Sequence, residues 1–294
     1  MKNMVDERFE CMAVIFRLAE KENYCHLFTD YQRDVAEIFA KFAEHPAVKL
    51  IKSFDGSNGI WVGWHCTLEF AVCIEKKDEG FVFIEDISSI GNGWTETAAR
   101  DFLPLFNDFY LDTNYGEFFN SYILHFEEVT RNFVDNFYSK IDLDWFGKYV
   151  DSSNLRCIYS LSSGNYGAIV NDKIIYCLVC AGNAISANAK SDNMPPIIHE
   201  YCHSFANPLA HRWYKENPEF KKWCVDSVNH DKMPYYSNGR TMANEYVTRA
   251  YNILYEVQHG ADLEEWLSKE RDWQFANSFK YIEDVYKMIL ELEP

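Results

Sequence analysis

No run of apolar residues in this 294-residue chain approaches the ~18–20 that a helix needs to cross a bilayer, which argues against a membrane-spanning protein. Basic residues are also few. Lys and Arg number 28 against 45 Asp and Glu, leaving a net charge of −17. Phosphate recognition rests on clustered Lys and Arg, so nucleic acid and anionic membrane are disfavoured as partners. Nothing repeats at a fixed period, which argues against a solenoid. The stretch Met1 to Arg8 has no apolar h-region and turns acidic at once. The nine cysteines are odd in number and dispersed from Cys11 to Cys224, unlike the dense, even framework of a small secreted scaffold. A cytoplasmic chain is therefore expected; an exported chain separated from its signal peptide fits the same stretch. What is abundant is core material: 48% hydrophobic and 17% aromatic residues, enough for one large domain or two modest ones.

Periodicity makes the first 150 residues mostly helical. Helices are expected over 5–20, 30–44, 97–110 and 116–138, with 59–75 read as a helix in preference to a strand pair. The second should stop before His45-Pro46. The pattern changes at Asp151-Ser152-Ser153-Asn154, a loop signal. Short β-rich runs follow at Leu155–Ser160 and Lys173–Cys180, with a turn at Ser162-Ser163-Gly164-Asn165 and a loop from Gly182 to Asn193. The second run offers an edge to which an extended peptide can add as a strand. Helices are then expected over 196–206, 241–257 and 276–291. The fold class is α+β and predominantly helical: a helical N-terminal half (1–150), then a half with a small β-sheet and C-terminal helices (151–294), an order that one continuous domain accommodates as well as two.

The strongest chemical signal is His199-Glu200-Tyr201-Cys202-His203, an HExxH motif. Residues four apart on a helix lie one above the other, so both imidazoles can reach one Zn²⁺. The glutamate between them falls on the same side and can serve as a general base toward water. Pro195-Pro196 suits a helix start. Ile197, Ile198, Tyr201, Cys202 and Phe205 share one apolar arc, while His199, Glu200 and His203 occupy the opposite one. Asn207-Pro208 is expected to close the helix.

Catalytic zinc takes a third protein ligand. Ala206 and Leu209 stand where a metzincin needs glycine and histidine, which removes that class. Downstream carboxylates include Glu216, Glu219, Asp226, Asp231, Glu245 and Glu256. Glu245 is the best placed: Ala243, Val247, Ala250 and Leu254 form a core stripe, and Glu245 lies on the other face with Thr248, Arg249 and Asn252. On periodicity alone, a solvated glutamate explains that face as well.

HExxH followed by a glutamate on a later helix resembles the gluzincin branch of zinc metallopeptidases, and Asn244-Glu245 is similar to the Asn-Glu pair of that branch's second helix. The stretch Val5-Asp6-Glu7-Arg8-Phe9-Glu10, continuing to Ile15-Phe16-Arg17-Leu18-Ala19, resembles an uncharacterised bacterial zincin-like family. The resemblance implies a zincin-like catalytic half with zinc held by His199, His203 and Glu245, and with Glu200 as base. It departs at Arg249, where gluzincins often carry an aspartate, so the support of His199 is left unassigned.

A donor to the developing oxyanion is also needed. Tyr235, Tyr236, His230, His211 and Arg249 are candidates, Tyr236 foremost, in the loop before the Glu245 helix. Cys177 and Cys180 match CxxC, but no second pair follows and in a strand they face opposite ways. The favoured reading is a zinc-dependent peptidase acting on a peptide or protein. Its rivals are a zinc-bearing binding domain with a structural or vestigial metal, marked by a closing fourth ligand such as His230 or Cys224, and a hydrolase of non-peptide amides.

Overall fold

The N-terminal helices start where side chains replace missing backbone partners. Asp6 accepts hydrogen bonds from the Arg8 and Phe9 amides and opens α1 (Glu7–Leu18). Thr29 and Gln32 form a reciprocal capping box at the head of α2 (Asp30–Phe39). A short 3-10 turn extends α2 to Phe42, and Pro46 then begins α3 (Pro46–Lys52), as the His45-Pro46 signal requires. The computed structural model describes residues 4–25, 27, 29–54, 64–84, 87, 90, 93–162, 166–170, 174–180, 196–231, 233, 236, 238–272 and 279–292. The expected loop from Gly182 to Asn193 and most of the expected 162–165 turn lie outside them.

The protein is predominantly helical α+β. Its chain divides into two units, 1–141 with 153–197, and 142–152 with 198–294. The first unit continues through α4 (Trp64–Val72), the hairpin β1 (Ile74–Lys77) and β2 (Gly80–Phe83), α5 (Glu96–Asp112), α6 (Tyr115–Ser121) and α7 (Ile123–Asn136). The stretch expected as one helix over 116–138 is thus two, parted at Tyr122. Phe9, Phe16, Phe39, Phe102, Phe106 and Phe109 fill the core of this unit.

Its second sheet joins β3 (Leu155–Ser160), β4 (Tyr166–Val170) and β5 (Ile174–Cys180) in the order β3-β5-β4. β5 runs parallel to β3 and antiparallel to β4. The expectation that this β-run offers a free edge is therefore overturned: β5 is central, and neighbours on both sides take up its backbone groups. A cut at residue 150 assigns the sheet to the C-terminal half, whereas the contacts group it with the N-terminal helices. A buried carboxylate ties the two. Glu10 of α1 accepts from Ser160 Oγ (3.0 Å), the Leu161 amide (2.9 Å) and Ser162 Oγ (2.5 Å) at the end of β3. Burial nonetheless pushes the Glu10 carboxyl above the usual range.

The second unit holds α8 (Ile197–Glu216), α9 (Pro218–Asp226), α10 (Gly239–Gln258), α11 (Leu263–Asp272) and α12 (Ile282–Leu292). α10 packs against α9, α11 and α12. Asn207-Pro208 does not end α8, contrary to expectation; the helix runs through Pro208 to Glu216. Proline inside a helix costs about 3 kcal/mol through the lost amide bond and the clash with the preceding turn. Buried Ala206 and Ala210 prolong the apolar face across that point, so tertiary packing continues on both sides of the proline. The second Asn-Pro pair is the stop: the Asn217 side chain caps α9, and Pro218 takes its first position. Residues of the 142–152 segment line this unit with aromatic rings, Tyr149 stacking on Phe205 at 4.3 Å and Phe146 meeting Tyr201 edge-on at 5.5 Å.

Candidate metal centre

The centre is built by α8 and α10. On α8 the expected apolar arc is buried at Ile197, Ile198, Tyr201 and Cys202, which turns the opposite face toward α10. His199 Nε2 and His203 Nε2 then come within 3.1 Å of each other. On α10 the Asn238 side chain caps the first turn by accepting from the Arg240 and Thr241 amides. The stripe of Ala243, Val247, Ala250 and Leu254 is buried as expected, but Glu245, Thr248 and Arg249 are buried too. The polar face of α10 is thus an interior face, not a solvated one.

Glu245 reaches across to both imidazoles. Its Oε1 lies 3.6 Å from His203 Nε2, and its Oε2 lies 3.6 Å from His199 Nε2. Among the described residues, this trio is the one group of three or more His, Cys, Asp or Glu whose donor atoms converge, all within 4.8 Å of one another. Ligands around a tetrahedral Zn²⁺ at ~2.0–2.1 Å are about 3.3 Å apart. The observed separations of 3.1 and 3.6 Å bracket that value. Glu245 Oε2 is buried and makes no hydrogen bond among the described residues, an orphan acceptor of the kind a cation satisfies. Two imidazoles and one carboxylate suit a borderline divalent ion. The residues present fit the ion.

The protonation states agree. Burial first, and then the charges of His203 and Arg249, hold the His199 imidazole well below the ordinary histidine range. It is neutral at physiological pH, the form that binds metals. His203 Nδ1 lies 3.0 Å from Asn207 Oδ1 and 3.0 Å from Thr248 Oγ1. An Nδ1 proton donated to Asn207 leaves the Nε2 lone pair facing Glu245 and His199.

Glu200, between the two histidines in sequence, is buried. Tyr236 is half-buried, and its ring meets Phe279 at 6.3 Å. Burial, the Glu245 charge and, less strongly, the Glu200 charge push its phenol up, while a hydrogen bond from Arg249 works the other way. Tyr236 therefore keeps its proton and remains a donor. Arg249 Nη2 lies 3.4 Å from Glu245 Oε2, and its Nη1 donates to Glu270 Oε2 at 2.6 Å.

The other candidates fall elsewhere. His211 is on the outside of α8, 3.4 Å from Arg240. His230 is exposed, and Cys224 is buried outside the trio with its thiol pushed up to about 12 by burial. Neither joins the three donors. Tyr235 lies outside the described residues. Asn207, Thr248 and Glu270 are not among the residues whose roles the sequence announces. The first two were open to detection, one turn from His203 and three residues from Glu245; Glu270 comes from another helix with no spacing to betray it.

No protein family matches the chain, and neither a characterised protein nor a solved structure shows detectable similarity to it. No helix among the described residues is long and apolar enough to cross a membrane.

Proposed function

We propose that the protein is a zinc-dependent hydrolase of the gluzincin kind, a peptidase whose ligands are His199, His203 and Glu245. The observation that carries this reading is the convergence of three donors from α8 and α10 on one point; Glu200, the residue after His199, is buried on the same helix. A divalent ion held there supplies a Lewis acid that polarises a scissile carbonyl and makes water nucleophilic near neutral pH. Glu200 takes the proton as water attacks the carbonyl carbon, and returns it to the amine nitrogen as the C–N bond breaks. The phenol of Tyr236 donates a hydrogen bond to the oxygen that gains charge in that attack. Asn207 and Thr248 keep His203 in the required tautomer.

The protonation of His199 favours the same reading, since a neutral imidazole is ready to bind without first losing a proton. A purely structural zinc would call for a fourth protein ligand, and neither His230 nor Cys224 is beside the trio. The test combines elemental analysis of the purified chain with cleavage of a broad peptide library, with and without a chelator. About one zinc per chain and chelator-sensitive cleavage are expected. Absence of zinc after reconstitution overturns the reading; zinc without cleavage of any peptide leaves the metal-bearing binding domain as the better account.

A further inference from the structure

Arg249 is enclosed between two carboxylates from different helices. Its Nη1 donates to Glu270 Oε2 of α11 at 2.6 Å, and its Nη2 stands 3.4 Å from Glu245 Oε2, one turn back on α10. The guanidinium carbon lies 4.4 Å from the centre of the Phe279 ring, which covers one face of the fork. The same fork lies within hydrogen-bonding reach of the Tyr236 phenol. Arg249 and Glu270 are both buried.

A guanidinium is planar and offers its donors in fixed directions, so anchoring one arm on Glu270 sets where the other arm points. That arm stands within ion-pair distance of the Glu245 oxygen which no hydrogen bond holds. Charge alone does not explain the arrangement. A lone arginine beside the three donors would repel a dication, and Glu270 cancels its charge. What the pair contributes to the trio is a fixed ion-pair partner for the Glu245 carboxylate.

We propose that Arg249, clamped by Glu270, is the positioning residue of this centre: it keeps the Glu245 carboxylate aimed at His199 and His203, and thereby sets metal affinity. The inference rests on the reading of those three residues as the ligand set. The arginine that departs from the gluzincin pattern thus supports the glutamate ligand instead of a histidine.

The experiment uses the full chain, stripped of metal, in three forms: wild type, the double variant R249M/E270Q and the single variant R249K. The double variant removes one charge of each sign, so the net charge is unchanged while the clamp is lost. Zinc affinity is measured by competition with a chromogenic chelator. The visible spectrum of the Co²⁺-loaded protein reports ligand geometry independently of any turnover. We expect the double variant to bind zinc about 10- to 100-fold more weakly, the range seen when a partner of a metal ligand is removed, with an altered Co²⁺ spectrum. R249K keeps the charge but loses the fork, and should recover part of the affinity. A double variant equal to wild type in both readouts overturns the proposal and leaves the ligand set standing. A wild type that takes up neither zinc nor Co²⁺ overturns both. If the metal-free double variant melts far below wild type, R249K decides alone: weaker zinc and an altered spectrum support the clamp, and unchanged values overturn it.

Discussion

Asn207 Oδ1 lies 3.0 Å from His203 Nδ1, one turn further along the same helix, and Thr248 Oγ1 approaches that nitrogen from α10 at the same distance. Two helices therefore agree on where one proton sits. Removing that agreement should weaken the metal centre without unfolding it. Asn207→Leu combined with Thr248→Val is expected to lower zinc affinity by about 10- to 100-fold, read by chelator competition. Unchanged affinity would show that the tautomer of His203 is set by something else.

Glu200→Gln tests the base. Glutamine keeps the shape but cannot take a proton, so peptide cleavage should fall by orders of magnitude while zinc content stays near wild type. Turnover at the wild-type rate removes Glu200 from the mechanism. Loss of zinc reassigns it as a ligand.

Glu245→Ala tests the third ligand. Zinc occupancy under mild chelator should collapse, while helical content changes little because alanine suits a helix. Glu256→Ala serves as control: the residue lies three turns further along α10 and outside the trio. Full zinc occupancy in the Glu245 variant would move the search to Glu219 and Asp226.

Glu10 makes a prediction about pH that is independent of the metal. Burial raises its carboxyl above the ordinary 4.5, against the pull of the Ser162, Leu161 and Ser160 donors. The folded state thus holds that proton more tightly than the unfolded chain. The associated stability is fully present below about pH 4.5 and is lost as pH rises through the raised folded value. Glu10→Gln cannot ionise and lacks this loss. The melting temperature of wild type relative to Glu10→Gln should therefore decline from pH 4.5 upward and level off once the folded carboxyl has ionised. Parallel melting curves from pH 4 to 8 would mean that the hydrogen bonds to the carboxylate cancel the cost of its burial, on the order of the few kcal/mol such a group costs.

Gly239 begins α10 at a close approach. A Cβ there would lie 2.8 Å from the Tyr214 hydroxyl and 2.9 Å from Val225 Cγ2. Gly239→Ala should destabilise the fold by about 1–3 kcal/mol through overpacking, read as a lower melting temperature. A variant as stable as wild type would mean that the Tyr214 side chain swings aside at no cost.

Legibility in the sequence followed the range of the interaction. The front of α8 could be read because His199, Glu200 and His203 are related by helical spacing. The face of Glu245 on α10 could be read for the same reason, although its burial could not: periodicity separates faces and does not say what covers them. Asn207 was misread as part of a helix stop because Asn-Pro is a boundary signal twice in this chain, and only the second pair, Asn217-Pro218, ends a helix. Glu270 and Phe279 reach Arg249 from beyond α10, where no local pattern announces them. The strand order was also closed to inspection. β5 becomes central because β4, an unmarked run of five residues, pairs with it from one side and β3 from the other.

One turn of α10 carries Glu245, Thr248 and Arg249, which meet the two histidines, the imidazole proton and the Glu270 carboxylate respectively. Their offsets of three and four residues are what place all of them on one side of the helix. A point substitution in this turn alters one task and leaves the others in place. An insertion or deletion of a single residue within it rotates everything beyond by about 100°, and separates the ligand from its own support. This turn must therefore pass between descendants of the chain as an indivisible word, tolerant of changed letters and intolerant of changed length.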